Sequence, residues 1–296
     1  MSDPANTGAS PQPSGGGLAD LGLRAASGIV MVTLALGSLW AGGAWFTIFW
    51  AMVGFAVYWE WQHLAGGRNM NARIVIGAVA LAGGAAFAST GSVDWALALL
   101  LISALAIAVS AGWGGGRVFV FKSAWSGLGL LYAGAMVVSV CVLRHSLFLG
   151  ATAVLWLFAI VWGTDVMAYF GGRLIGGPKL CPPISPGKTW SGFGIGVFCG
   201  ALAGLGVVAF TVTPGEASLL PVLALGLLAA AISQGGDLFE SAIKRNYGVK
   251  DSGRLIPGHG GAMDRLDGFI FAAIFAALVG SAHKGAVAAA HGLLVW

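Results

Sequence analysis

Three consecutive stretches decide how this chain is read: LLPVLALGLLAAAISQ (219–234), GGDLFESAIKRNYGVKDSGRLIPGHGGAMDRLD (235–267) and GFIFAAIFAALVGSAHKGAVAAA (268–290). The outer two are apolar runs long enough to enter a bilayer. The middle one is a polar island holding five Lys/Arg and five Asp/Glu, from chain totals of fifteen and eleven. Charges packed this densely against membrane-type segments are costly unless they bind something. Spaced carboxylates, paired bases, a Gly-flanked His and a Lys-Asp step together suit a metal ion holding phosphates.

Working outward, the composition says the same of the whole chain. It is 57% hydrophobic and 9% charged, with a mean hydropathy of +0.87. A soluble domain is usually about a quarter charged. The fold class expected is therefore all-α, a polytopic integral membrane protein with cytoplasmic catalytic loops. The 49 glycines suit closely packed membrane helices. Cys141, Cys181 and Cys199 show no ligand spacing, so neither a disulfide framework nor zinc is expected. A net charge of +4 is too small to argue for nucleic acid.

Residues 1–20 are rich in Gly, Ser, Pro and Asn and read as a disordered tail, with no cleavable leader. About nine spans follow, at 25–40, 44–58, 74–90, 95–111, 125–143, 149–170, 193–212, 219–234 and 268–290. The first two also fit a single re-entrant helix. The chain divides into N-terminal helices at 21–145 and a catalytic region at 146–296. With nine spans, one side collects thirteen basic residues: Arg24, Arg68, Arg73, Arg117, Lys122, Arg173, Lys179, Lys188, Lys244, Arg245, Lys250, Arg254 and Arg265. The other keeps Arg144 and Lys284. The positive-inside rule then makes the tail and both polar loops cytoplasmic and the C-terminus external, in a cell (inner) membrane.

Asp237, Ser241, Lys244 and Arg245 fall at i, i+4, i+7 and i+8, one face of a helix continuing from the eighth span. Asp264, Arg265 and Asp267 stand at the start of the ninth. The Gly/Pro-rich link 253–261 can fold back and bring Asp237 and Asp264 together, where two carboxylates suit Mg²⁺ carried on phosphate. Backbone N–H groups at 258–261 are expected to form an anion nest, with His259 donating to a phosphate. Scattered anchoring charge is the bland alternative, but it does not predict carboxylates at helical spacing against a Gly-His-Gly-Gly turn. Glu240 and Asp267 also suit helix-end charge partners.

A second constellation runs from Asp165, late in the sixth span, through Tyr169, Gly172 and Arg173 to Ser185-Pro186-Gly187-Lys188-Thr189-Trp190. Asp165 is either a functional intramembrane carboxylate or an acid reaching interfacial water. Ser185, Lys188 and Thr189 offer hydroxyl and ammonium donors to phosphate, with Lys188 expected to be exposed. The spacing is not that of a P-loop. Glu60, between Trp59 and Trp61, reads as an interfacial charge. His63, His145, His283 and His291 are isolated.

The run from Ser241 to Asp267 resembles the signature of the phosphatidate cytidylyltransferases (CDP-diacylglycerol synthases). Ser241, Ile243, Lys244, Arg245, Lys250, Asp251, Gly253, Ile256, Pro257, His259, Gly260, Gly261, Asp264, Arg265 and Asp267 stand at matching places. So do Ser233–Asp237 and the Asp165 to Trp190 pattern. Ala262 departs from the usual larger apolar residue, and Ser191 from a common Glu or Gln.

The resemblance implies CMP transfer from CTP to phosphatidic acid, giving CDP-diacylglycerol and pyrophosphate, an early step of phospholipid synthesis. The lipid phosphate would attack the CTP α-phosphorus directly, with Mg²⁺ held by Asp237 and Asp264. It implies catalytic roles for Lys244, Lys250 and His259, and substrate contacts for Ser241, Arg245, Arg265, Asp267, Asp165, Ser185, Lys188 and Thr189. The family is often dimeric, so a homodimer is an implication of the resemblance alone. Two rival readings stand beside it. A CDP-alcohol phosphotransferase shares Asp264-x-x-Asp267-Gly268 but needs downstream aspartates that this chain lacks. A transporter of anionic substrates should carry midplane charges or inverted repeats.

Overall fold

The structure is a computed structural model that describes residues 18–67, 69–112 and 117–296. Residues 1–17, within the expected tail, and Arg68 lie outside the described residues. Helices α1 (Leu18–Ala41), α2 (Gly43–Ala65), α3 (Met70–Ser89), α4 (Val93–Gly112), α5 (Arg117–Arg144) and α6 (Gly150–Leu174) come first. A hairpin of β1 (Lys179–Cys181) and β2 (Ser185–Thr189) follows, then α7 (Trp190–Thr211), α8 (Leu219–Asn246), α9 (Met263–Lys284) and the short α10 (Ala289–Leu294). The all-α polytopic reading holds.

Among the described residues, eight helices are long and apolar enough to cross a membrane. The second expected span, α2, is long enough at 23 residues, but Glu60, Gln62 and His63 dilute its apolar content. It is a separate helix from α1. Gly42 (φ 60°) and Gly43 (φ 49°) take left-handed backbone at the break, a conformation open to glycine. At the other end, the last apolar run is not one span. Gly285 (φ 79°) stops α9, and 286–296 fold back as a short turn and α10.

Hydrogen bonds pin which helix ends share a face. Ser27 near the start of α1 meets His259 just before α9, at 2.7 Å. Trp61 near the end of α2 donates to Trp125 O near the start of α5, at 2.9 Å. On the opposite face Arg144 donates to Leu39 O, and Ser218 to Trp296 O. Successive long helices therefore alternate in direction, and the polar island and the hairpin lie on one face.

Apolar side chains cover the outside as well as the inside. Ile29, Phe210 and Leu220 are 67%, 93% and 78% exposed, an arrangement suited to lipid contact. Inside, α7 packs on α6 through Gly192, Gly196, Gly200 and Gly204, a small residue every fourth position. A Cβ at Gly196 would lie 2.8 Å from Thr164 O, and one at Gly200 2.8 Å from Ile160 O. Glycine lets these backbones nearly touch, and that contact holds Asp165 of α6 beside the hairpin that leads into α7.

Candidate active site

Helix α8 runs unbroken from its apolar half into the polar island. Ser241 Oγ donates to Asp237 Oδ1 one turn back, at 3.2 Å. Lys244 Nζ reaches across to Asp264 Oδ1 of α9, at 2.7 Å. The two helices can close because both crossing positions are glycine. A Cβ at Gly236 would sit 2.6 Å from Asp267 O, and one at Gly268 2.9 Å from Ser233 O. Close approach at that level brings the acids of the two helices to one pocket.

The link between the helices folds back as expected, with Gly258 (φ 75°) and Gly260 (φ 84°) in left-handed backbone. Two of the four N–H groups at 258–261, those of His259 and Gly261, are already engaged within the chain, however. His259 N–H donates to Ile256 O at 3.0 Å. Gly261 N–H and Ser252 N–H donate to Asp264 Oδ2 at 2.8 and 2.9 Å. The anion these two amides hold is the chain's own Asp264. Arg265 Nε donates to His259 O at 3.0 Å, tying the turn to α9. Partial burial, then Arg265 and Arg24, hold the His259 pKa below the ordinary histidine value.

The segment after α6 forms an antiparallel hairpin pairing Lys179 with Thr189 and Cys181 with Ser185. Thr189 is buried, and its Oγ1 accepts Gly192 N–H at 3.1 Å as the N-cap of α7. Lys188 is not the exposed residue expected. Its side chain is 18% exposed and its Nζ lies 2.7 Å from Asp237 Oδ2 and 3.3 Å from Gln234 O. Gln234 Nε2 in turn donates to Asp165 Oδ1 at 3.2 Å. The hairpin base, α8 and α6 are thus joined through one polar chain.

These groups line a polar cavity of about 680 Å³, within the usual range of ligand sites. Asp165, Lys188, Thr189, Asp237, Asp264, Arg265 and Asp267, all singled out in the sequence, contribute to its wall, with Gln234, Tyr169 and Arg173. An adjoining apolar cavity of about 480 Å³ lies between α1, α2, α6 and α9, walled by Trp50, Phe158, Trp162 and Phe269. Trp50 stacks on Phe269 with ring centroids 5.1 Å apart. Asp165, Asp264, Arg265 and Asp267 belong to both walls. His259 lines the apolar cavity. Ser185, Ser241, Arg245 and Lys250 line neither. Arg245 instead donates to Ile184 O at 3.3 Å, bracing the hairpin, and Lys250 is exposed.

Among the described residues no three His, Cys, Asp or Glu side chains converge closely enough to cage a metal ion. Four carboxylates on one polar wall are nonetheless the hard oxygen donors Mg²⁺ uses, and Mg²⁺ needs only one or two when phosphates and water supply the rest. The donor set fits Mg²⁺.

Two acids are placed differently from expectation. Glu60 is no interfacial charge: it is 1% exposed and accepts N–H groups of Ala262 and Met263, each at 2.9 Å. Its contacts lie about 200 residues away in sequence, so no local spacing could reveal them. Glu240 is no helix-end partner either. It is fully buried beneath the site, shares a side-chain hydrogen bond with Asp267, and has Lys244 Nζ 3.5 Å off. The two departures from the family pattern also acquire positions. Ala262 carries one of the N–H groups bound by Glu60. Ser191 Oγ bonds Gly176 O and Thr189 Oγ1, bracing the hairpin end.

The sequence is similar to that of known proteins. A model of the cytidylyltransferase family matches residues 22–283. A Brucella abortus protein named phosphatidate cytidylyltransferase is 39% identical over 272 residues, covering 89% of this chain and 94% of its own length. One of the same name from Pseudomonas aeruginosa is 35% identical over 292 residues, covering 89% and 98%. Another from Staphylococcus aureus is 45% identical over 122 residues, covering 41% and 46%.

Proposed function

The chain belongs to the cytidylyltransferase family, and we propose that it is an enzyme whose polar cavity transfers CMP from CTP to phosphatidic acid, forming CDP-diacylglycerol and pyrophosphate. One observation carries the reading. A polar cavity and an apolar cavity meet at a shared rim of Asp165, Asp264, Arg265 and Asp267. The reaction needs such a junction, since one substrate is dissolved in water and the other in lipid. The nucleotide would occupy the polar side, and the acyl chains the aromatic-walled side.

In this reading Asp237 and Asp264 would hold Mg²⁺. When bound, it would offset the negative charge of the triphosphate. Lys188 and Arg265 bind phosphate oxygens on the pocket wall. Lys244 stands behind Asp264 and fixes its carboxylate, and Ser241 does the same for Asp237. Asp165 is held by Gln234, so its free oxygen faces the rim. A lipid phosphate oxygen forms the new bond to the α-phosphorus as the bond to the bridging oxygen breaks. Pyrophosphate leaves, and no covalent enzyme intermediate is required. Holding both phosphates in line converts an encounter into an intramolecular step.

The basic asymmetry supports a cytoplasmic N-terminus and active-site face in the cell (inner) membrane, from which CTP would enter. The homodimer rests on the family likeness alone. Neither a CDP-alcohol phosphotransferase nor a transporter finds support in the relatives' names.

The test is pyrophosphate release by purified protein in detergent. Release from CTP only when phosphatidic acid is present is the expected outcome. Equal release without the lipid, or with diacylglycerol in its place, contradicts the reading.

A further inference from the structure

We propose that Glu60, on a helix far from the signature, is a positioning residue that sets Asp264 for CMP transfer, an inference resting on the function proposed above. Glu60 Oε1 accepts Ala262 N–H at 2.9 Å, and Oε2 accepts Met263 N–H at 2.9 Å and Ser252 Oγ–H at 3.2 Å. Asp264 is the next residue along. Ser252 is also one of its ligands, its N–H lying 2.9 and 3.2 Å from the two Asp264 oxygens. Glu60 therefore grips the loop leading to Asp264 at two places, 252 and 262–263.

The first turn of α9 explains the need. A helix start leaves N–H groups without intrahelical acceptors, and Ala262, at the N-cap, has no side chain to supply one. Glu60 brings the acceptor from α2, and its negative charge suits that helix end. Three donors in turn satisfy a carboxylate too costly to bury unpaired. Two glycines of the signature belong to the same device. A Cβ at Gly253 would lie 2.5 Å from Glu60 Oε1, and one at Gly261 2.6 Å from Oε2. Those positions leave the room that the incoming carboxylate fills.

The shape of the contact makes the role specific. Each Glu60 oxygen faces a different backbone donor, so a Gln at 60 turns an N–H toward one of them. Asp264 keeps Lys244 but loses the register of its loop amides.

Steady-state kinetics and hydrogen exchange on Glu60→Gln, Ser252→Ala and Asp264→Asn, each purified in detergent, test the proposal. Glu60→Gln should lower kcat about 10- to 100-fold, as loss of an outer-shell partner usually does, with KM for CTP and phosphatidic acid near wild type. Amide exchange should quicken over 250–264 and stay unchanged in α3 and α4. Ser252→Ala should give a smaller kcat loss of the same kind, and it decides the matter if Glu60→Gln does not fold. Wild-type kcat in these variants, or exchange quickened throughout the protein, overturns the proposal. An inactive Asp264→Asn beside a normal Glu60→Gln sinks only the role of Glu60. An active Asp264→Asn sinks the site reading itself.

Discussion

Lys188 links the hairpin to the acids of α8, and its removal shows how single side chains share this site. Its ammonium pairs with Asp237 at 2.7 Å yet keeps 18% of its surface open to the polar cavity. Lys188→Ala should leave the protein folded, because Asp237 is itself 32% exposed and water can solvate it. It should raise KM for a phosphate-bearing substrate about tenfold or more, the worth of one charged hydrogen bond. Unchanged KM values for both substrates would make Lys188 a structural partner only. Glu240→Gln should cost far less turnover than a change at Asp264, since Lys244 already has its partner there. Neutralising a carboxylate buried beside a second acid, Asp267, should not lower the melting temperature. A Glu240→Gln variant as inactive as Asp264→Asn would place Glu240 in the machinery.

At the scale of elements, glycines decide where helices touch. Gly200→Leu should force α7 off α6, because its Cβ already meets Ile160 O at 2.8 Å. Overpacking of this kind costs about 1–3 kcal/mol, read as a lower melting temperature and less monodisperse protein. Gly194→Ala and Gly206→Ala, on the same helix with nothing within 4 Å, should be neutral or stabilising, given glycine's poor helix propensity. Equal damage from all three would argue against the α6–α7 contact. Such contacts mark the limit of sequence reading. The continuous α8 and the placing of Asp237 on one cavity wall with Asp264 were legible, because helical spacing shows which residues share a face. The hairpin was not, since Pro182, Pro183, Pro186 and Gly187 hide two short strands. Glu60 was not legible either, nor was the use of the loop amides by Asp264, because both depend on contacts between distant segments.

Across the whole molecule, one face serves two solvents. The alternating helix directions place Trp296 opposite the polar island, so a reporter after Trp296 should be external and one inserted at 248–250 cytoplasmic. The reverse, a cytoplasmic reporter after Trp296 and an external one at 248–250, would mean that α2 does not cross, the helix that fell short on apolar content. A multi-pass bundle was evident from composition alone, while the meeting of the two cavities emerged only from packing. The most direct test follows the α-phosphorus of labelled CTP into extracted lipid, using purified wild type, Asp237→Asn and Asp264→Asn. Asn keeps the shape of Asp but removes the charge a hard cation requires. Wild type should move the label only when phosphatidic acid is supplied. Both variants should insert and fold yet transfer almost none, and the double variant should be hardly worse than the worse single one. Near-normal Mg²⁺-dependent transfer by either single variant would contradict the account.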